Sequence, residues 1–194
     1  MKRMSDWEET RAAMGGDSER LSLGGHVCKI IGTRIDTTTT GKEQLVLCFD
    51  VDEGTEYDGI FKRQYDGSKG RGNDKWPNGG TFRQFTRDFT DPGKTNPYFK
   101  GLIQAVVESN SGYQWDWNER SLVGRYIGFV FGEEEYMGQD GEIKRAVKAR
   151  YCCPSDSAPD KEAPALKPYK GPRPQAAQSA PGGFTETTDD ELPF

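Results

Sequence analysis

Histidine is nearly absent from this chain: its 194 residues hold one, His26. That removes the commonest general base and leaves little basis for a nucleophile–base pair. Cysteine is sparse as well. Cys28, Cys48, Cys152 and Cys153 show no CxxC spacing, so they read as thiols of a reducing compartment, with a zinc site gathered from three strands as the alternative. The metalloprotease pair HExxH is missing, and so is a glycine-rich phosphate loop ending in Lys-Ser/Thr. No apolar run approaches the roughly 20 residues of a membrane span. The opening Met1-Lys-Arg-Met-Ser-Asp-Trp-Glu-Glu9 lacks the apolar core of a signal peptide. These absences predict a cytoplasmic protein with no membrane attachment and no cofactor, and not an enzyme. The carboxylates that could serve a metal-dependent nuclease are Asp50, Asp52, Glu53 and the run Glu133–Glu135. They stand at strand ends near glycine, where acids are ordinary turn residues.

Net charge is −5, which looks wrong for a nucleic-acid binder until it is divided along the chain. From Pro154 onward there are 4 Lys/Arg and 7 Asp/Glu. Between Lys62 and Lys100 there are 9 Lys/Arg against 4 Asp. Local field rather than total charge steers a polyanion, so the overall acidity does not exclude DNA.

The periodicities predict three strands, a helix and two more strands. Ser5 to Met14 reads as a short helix stopped by Gly15-Gly16. His26–Ile35 is the first strand, with Gly32 at a bulge or bend. Leu45, Leu47 and Phe49 alternate along the second, with Val46 and Cys48 facing the other way. A third, about Tyr57 to Tyr65, places Phe61, Arg63 and Tyr65 on one face. Residues 66–95 lack a sustained period and form a long loop, with a short strand or hairpin about Thr81 to Phe89. Asn96-Pro97 caps and opens a helix whose Phe99, Leu102, Ile103, Val106 and Val107 fall at three- and four-residue steps. Ile127, Phe129 and Phe131 share a face of the next strand. The last strand, about Ile143 to Cys152, has Ile143, Val147, Ala149 and Tyr151 on one side and Lys144, Lys148 and Arg150 on the other. That element order is the order of an OB-fold, a five-stranded barrel with its helix between strands three and four.

The predicted division of the chain is an N-terminal arm over residues 1–22, an OB-fold-like domain over 23–153, a disordered linker over 154–188 and an acidic tip over 189–194. The linker assignment follows from its Pro, Ala, Gln, Ser and Gly content, which offers little apolar surface to offset the entropy of ordering. Sequence-tolerant binding of unpaired nucleic acid needs cations for phosphates and flat rings for bases. Phe61, Lys62, Arg63 and Tyr65, then Lys75, Trp76, Arg83, Phe85 and Arg87 of the loop, and Lys144, Lys148 and Arg150 of the last strand are the residues that fit.

The chain closes on Asp189-Asp190-Glu191-Leu192-Pro193-Phe194, three carboxylates running into an apolar end. Such a peptide suits a pocket with a basic rim, where side chain and terminal carboxylate are held together. It resembles the acidic C-terminal tip of bacterial single-stranded DNA-binding proteins. The body carries a second resemblance. Gly24–Ile30, Phe49–Gly54, Tyr98–Asn110, Gly112–Trp117 and Leu122–Tyr136 are similar to segments of a family found in phages of Gram-positive bacteria, often labelled as of unknown function or as single-stranded DNA-binding. The two resemblances imply a protein that coats single-stranded DNA in the host cytoplasm during phage replication or recombination and recruits partner proteins through its tip. They leave homo-oligomerisation open. The alternatives are a metal-dependent nuclease and a protein-only adaptor or inhibitor of the host replication machinery.

Overall fold

The computed structural model describes residues 19–69 and 72–171, together with Ser5. Its organising element is β1 (Gly24–Thr37), which pairs antiparallel with two neighbours, β2 (Glu43–Val51) and β4 (Tyr126–Met137). β3 (Thr81–Phe85) extends the sheet beyond β2, and β5 (Ile143–Cys153) extends it beyond β4. The order across this antiparallel sheet is β3-β2-β1-β4-β5, which leaves β3 and β5 as edges.

Along the first half of β1, His26, Cys28 and Ile30 are buried and Val27 and Lys29 half-buried, as period-two alternation requires. One surplus residue, Ile31, then interrupts the ladder between Ile30 and Gly32. Beyond it the inward side passes from even to odd positions, and Thr33 and Ile35 lie opposite the buried Leu47 and Leu45. The bulge is where the glycine places it. The core gathers Leu45, Leu47 and Phe49 of β2 with Ile127, Phe129 and Phe131 of β4, and Phe49 stacks on Phe129 at 4.3 Å between centroids. Over it lies α2 (Pro97–Ser109), which buries Phe99, Leu102, Ile103, Ala105 and Val106. Asn96 caps this helix by accepting the Tyr98 N–H at 2.9 Å, with proline in the first turn.

The expected third strand at 57–65 is a helix instead, α1 (Ile60–Lys69). Two facts of local chemistry decide this. Gly59 turns the chain at φ 70°, and the Asp50 carboxylate accepts the N–H groups of Phe61 and Lys62, both at 2.9 Å, at the new helix's first turn. Ile60 and its neighbour Phe61 are both buried, which a half-buried strand does not allow. The third strand is β3, inside the expected loop 66–95. Its approach is the 3-10 turn Asn78–Gly80, which fits under the Phe61 ring and lies against β5.

β5 also departs from simple alternation. Its ladder with β4 shifts at Arg150, so Val147 and Ala149 reach the core, while Tyr151, expected beside them, is 42% exposed. The segment after β5, expected to start a disordered linker at Pro154, lies along the body as far as Tyr169, whose N–H donates to the Glu135 carboxylate. Ala158 is fully buried with Val130 and Cys153, and the Gly25 N–H donates to the Lys161 carbonyl at 3.0 Å. Further on, Lys167 exchanges backbone bonds with Glu133 and Glu135 on the side of β4 that β1 no longer covers. Composition hid this strap because it docks by backbone. Gly25, Gly128 and Gly132 form a track beneath it, and a Cβ on any of them would stand under 3 Å from strap atoms. The expected N-terminal helix, the rest of the linker and the acidic tip lie outside the described residues. Among the described residues no helix is long and apolar enough to cross a membrane.

Candidate nucleic-acid interface

Beyond the bulge, the face of the sheet turned away from the core carries Gly32, Arg34 and Asp36 of β1, Cys48, Val46 and Gln44 of β2, and Thr81, Arg83 and Phe85 of β3. These lie in register across three strands. Val46 is fully buried yet belongs to neither hydrophobic cluster; its cross-strand neighbours are Arg34 and Arg83. Both guanidinium groups act on the half-buried Cys48 thiol, whose pKa burial pushes up and the two arginines pull back down. Arg34 is also held by Asp36, its Nε donating to both carboxylate oxygens at 3.0 Å. Arg83 and the Asp36-paired Arg34, both exposed, thus flank an apolar centre on the outward side of the sheet.

The face ends in an aromatic corner. Phe85 meets Phe89 edge-to-face at 4.7 Å, and Lys42, from the turn between β1 and β2, sits 4.2 Å from the centre of the Phe89 ring. Phe89 is 54% exposed. It projects on a lobe closed by the bridge between Arg87 and Thr95 and by the Asp88 N–H donating to the Lys94 carbonyl. The Asp88 carboxylate accepts from the Thr90 hydroxyl and from the N–H groups of Thr90 and Asp91, which holds its pKa below the usual range.

The residues expected to form the site fall into separate groups. Arg83 and Phe85 belong to the open face, and Arg87 stands exposed beside it. Phe61 is core: 4% exposed, it packs edge-to-face on Phe49 and stacks with Phe131, out of reach of any base. Arg63 pairs with Glu19 at 2.6 Å and donates to the carbonyls of Asp58 and Glu56. Lys62 is exposed and pairs with Asp66 at 2.7 Å; Lys75 is exposed. Tyr65 and Trp76 lean on one another at 5.5 Å, and Trp76 Nε1 donates to the Gly80 carbonyl, so both are half-buried supports of the loop. Because 57–65 is helical, Phe61, Arg63 and Tyr65 share no strand face.

The cations of β5 are largely answered by acids. Lys148 lies 3.6 Å from Glu134, Lys144 contacts Asp140 across the hairpin turn, and Arg150 donates to the Glu133 carbonyl at 3.3 Å. Arg145 spans Glu133 and Glu135, and Lys167 of the strap adds a second cation at Glu134. Pairing of this kind leaves little field to attract phosphate.

The carboxylates considered for a nuclease have structural partners. Asp50 caps α1, and burial pushes its pKa up against the pull of the Phe61, Lys62 and Val51 N–H groups. Glu53 accepts from His26 Nδ1 and the Val27 N–H, both at 2.9 Å. Asp52 accepts the Tyr126 hydroxyl at 3.1 Å. Among the described residues no three His, Cys, Asp or Glu are grouped to hold a metal ion.

Arg34, Lys42 and the open face they share were not singled out from the sequence. The signal was present in Gly32, since a bulge there sets which of Arg34 and Ile35 faces outward. A concavity of about 400 Å³ opens where the core reaches the surface beside α2, lined by Ile35, Leu45, Phe99, Trp115 and Trp117 together with Arg87, Glu43 and Glu119. No family model matches this chain, and the search of curated proteins found no match. The functional reading therefore rests on the residues themselves.

Proposed function

We propose that this protein binds single-stranded DNA with little sequence preference, and that its terminal Asp189–Phe194 recruits other proteins to the coated strand during phage DNA replication or recombination. The observation that carries the reading is the open face of β1, β2 and β3. Arg34 and Arg83 flank an apolar centre there, next to a corner where half-buried Phe85 meets exposed Phe89 beneath Lys42. Cations beside flat rings are what an unpaired strand needs, phosphates on the first and bases on the second. The strand order supports it too. With β1 central and α2 between β3 and β4, the element order of this open sheet is compatible with an OB-fold-like arrangement, with β3 and β5 left unpaired to one another. In folds of that kind the face built on strands two and three is the oligonucleotide platform.

The test is a salt titration of poly-dT binding. For a coating protein log affinity falls with log salt by about 0.7 per phosphate neutralised. Replacing Arg34 and Arg83 together by Ala lowers the slope by about 0.7 to 1.4, the smaller figure applying where Arg34 stays with Asp36. No measurable poly-dT binding at low ionic strength rejects the proposal. An unchanged slope in the double variant removes this face from it.

A further inference from the structure

Among the outward positions that β1, β2 and β3 hold in register, one is an acid. Asp36 shares a cross-strand row with Gln44 and Phe85, and the next row is Arg34, Val46 and Arg83. An anionic strand laid over this face meets Asp36 as a like charge, so the acid opposes the ligand that the rest of the face fits. Its partner is Arg34, two residues back on the same strand. Arg34 Nε donates to both Asp36 oxygens at 3.0 Å, with the two side chains 53% and 36% exposed. The fold has little use for the pair. An exposed ion pair hardly moves stability, and the ladder with β2 already fixes β1 from Gly32 to Thr37.

We propose that Asp36 is a selectivity residue of this face: it holds Arg34 back from phosphate, so that base contacts rather than charge decide which polymer stays bound. The inference rests on the single-stranded DNA reading. A phosphate that takes Arg34 leaves the carboxylate bare beside the strand, and one attraction is exchanged for one repulsion. The Arg34 position then adds nothing net to counterion release, and Arg83 carries the salt dependence of that row. The penalty differs between polymers. A single strand swings a phosphate away from the acid and keeps its bases on Phe85 and Phe89. Duplex DNA is stiff, carries one charge per about 1.7 Å of axis and hides its base faces in the stack. It has chiefly phosphates to offer and cannot steer them round Asp36. An acid in this position selects by repelling the wrong ligand.

The experiment titrates oligo-dT and a duplex of equal length, over a range of salt, into the full chain and its variants Asp36→Asn, Asp36→Thr, Arg34→Ala and Arg34→Ala/Asp36→Asn. Wild type prefers oligo-dT. Freeing Arg34 raises the salt slope of both Asp36 variants by about 0.7 for oligo-dT and about 0.9 for duplex. Affinity for oligo-dT rises roughly 2- to 5-fold, and affinity for duplex rises further, so the preference for single strands falls. Arg34→Ala alone leaves the slope unchanged. Adding Asp36→Asn to it still leaves the slope unchanged, because no guanidinium is there to free. Melting temperatures of the Asp36 variants stay near wild type, as an exposed pair requires, and threonine, a good strand former, serves should asparagine not fold. A slope that falls by about 0.7 in Arg34→Ala means that the guanidinium already sits on phosphate, and it overturns the restraint. So does an unchanged slope in the Asp36 variants, or a gain that persists without Arg34. Equal gains for the two polymers overturn the selectivity. Each of these results leaves coating standing. Failure of wild type and variants alike to bind either polymer at low ionic strength rejects coating, and this inference with it.

Discussion

Gly25→Ala tests whether the strap over residues 154–169 is seated by the glycine track. The new methyl carbon would stand 1.8 Å from the Ala158 carbonyl oxygen and 2.7 Å from its carbonyl carbon. Both are backbone atoms, so no change of rotamer relieves the clash. An ordinary contact of about 3.5 Å requires the strap to retreat by about 1.7 Å. Retreat breaks the Gly25–Lys161 bond and uncovers Ala158 and Val130, both fully buried. The bond is worth about 1 kcal/mol. The two side chains add roughly 2 kcal/mol at the low end of their burial values. Residues freed from the body regain conformational entropy, which returns part of this. The expected net loss is about 1–3 kcal/mol, or roughly 3–10 °C in melting temperature. Amide exchange gives the sharper reading: Gly25 and Glu135, whose N–H groups are held by Lys161 and Lys167, exchange faster, while the core amides of β2 keep their protection. Wild-type protection at both amides with an unmoved melting temperature would refute the reasoning.

Phe61→Ala costs about 3–5 kcal/mol as a core truncation, whereas Phe61→Leu folds and keeps wild-type affinity for oligo-dT; urea melts and fluorescence titrations check the pair. Asp50→Ala strips the cap from α1 and leaves the N–H groups of Phe61 and Lys62 unpaired, a loss of about 1–3 kcal/mol, visible as faster exchange of those two amides. Asp58 accepts the N–H groups of Glu53, Gly54 and Thr55, and the bond from Glu53 is the chief cause of its pKa falling below the ordinary 3.8. A depressed carboxylate stabilises the fold fully above its unfolded value and ceases to do so as pH falls through the folded one. The stability gap between wild type and Asp58→Ala should therefore be constant above about pH 5 and narrow below pH 3.8, as followed by melting temperature against pH.

The helix α2 was legible because its apolar residues recur at three and four steps behind an Asn-Pro start, a pattern few other structures produce. β2 was legible for the corresponding reason at period two. The stretch 57–65 was not, because Ile60, Phe61 and Tyr65 fit a helical face as well as a strand. The deciding partner, Asp50, belongs to the preceding strand and becomes a cap only once the chain has folded back. The site was half legible for the same kind of reason. Arg83 and Phe85 stand out by composition, but their companion Arg34 depends on a register that the bulge resets. The cations of β5 read as a binding stripe only while Glu133–Glu135 on the facing strand are ignored. The strap left almost no sequence signal, since its seat consists of three glycines that matter by having no side chain.

Ile31 is one residue of slack in β1, set between the two phases of the strand. Its loss closes the ladder: Gly32 follows Ile30 directly, still opposite Cys48, and Arg34 keeps its outward side and Ile35 its inward one. A residue added to the strand and paired in the ladder beyond Gly32 does the reverse, carrying Arg34 beneath the sheet and Ile35 to its outer surface. Loss of Ile31 should accordingly be borne far more easily by functional variants than a lengthening of β1 by one residue.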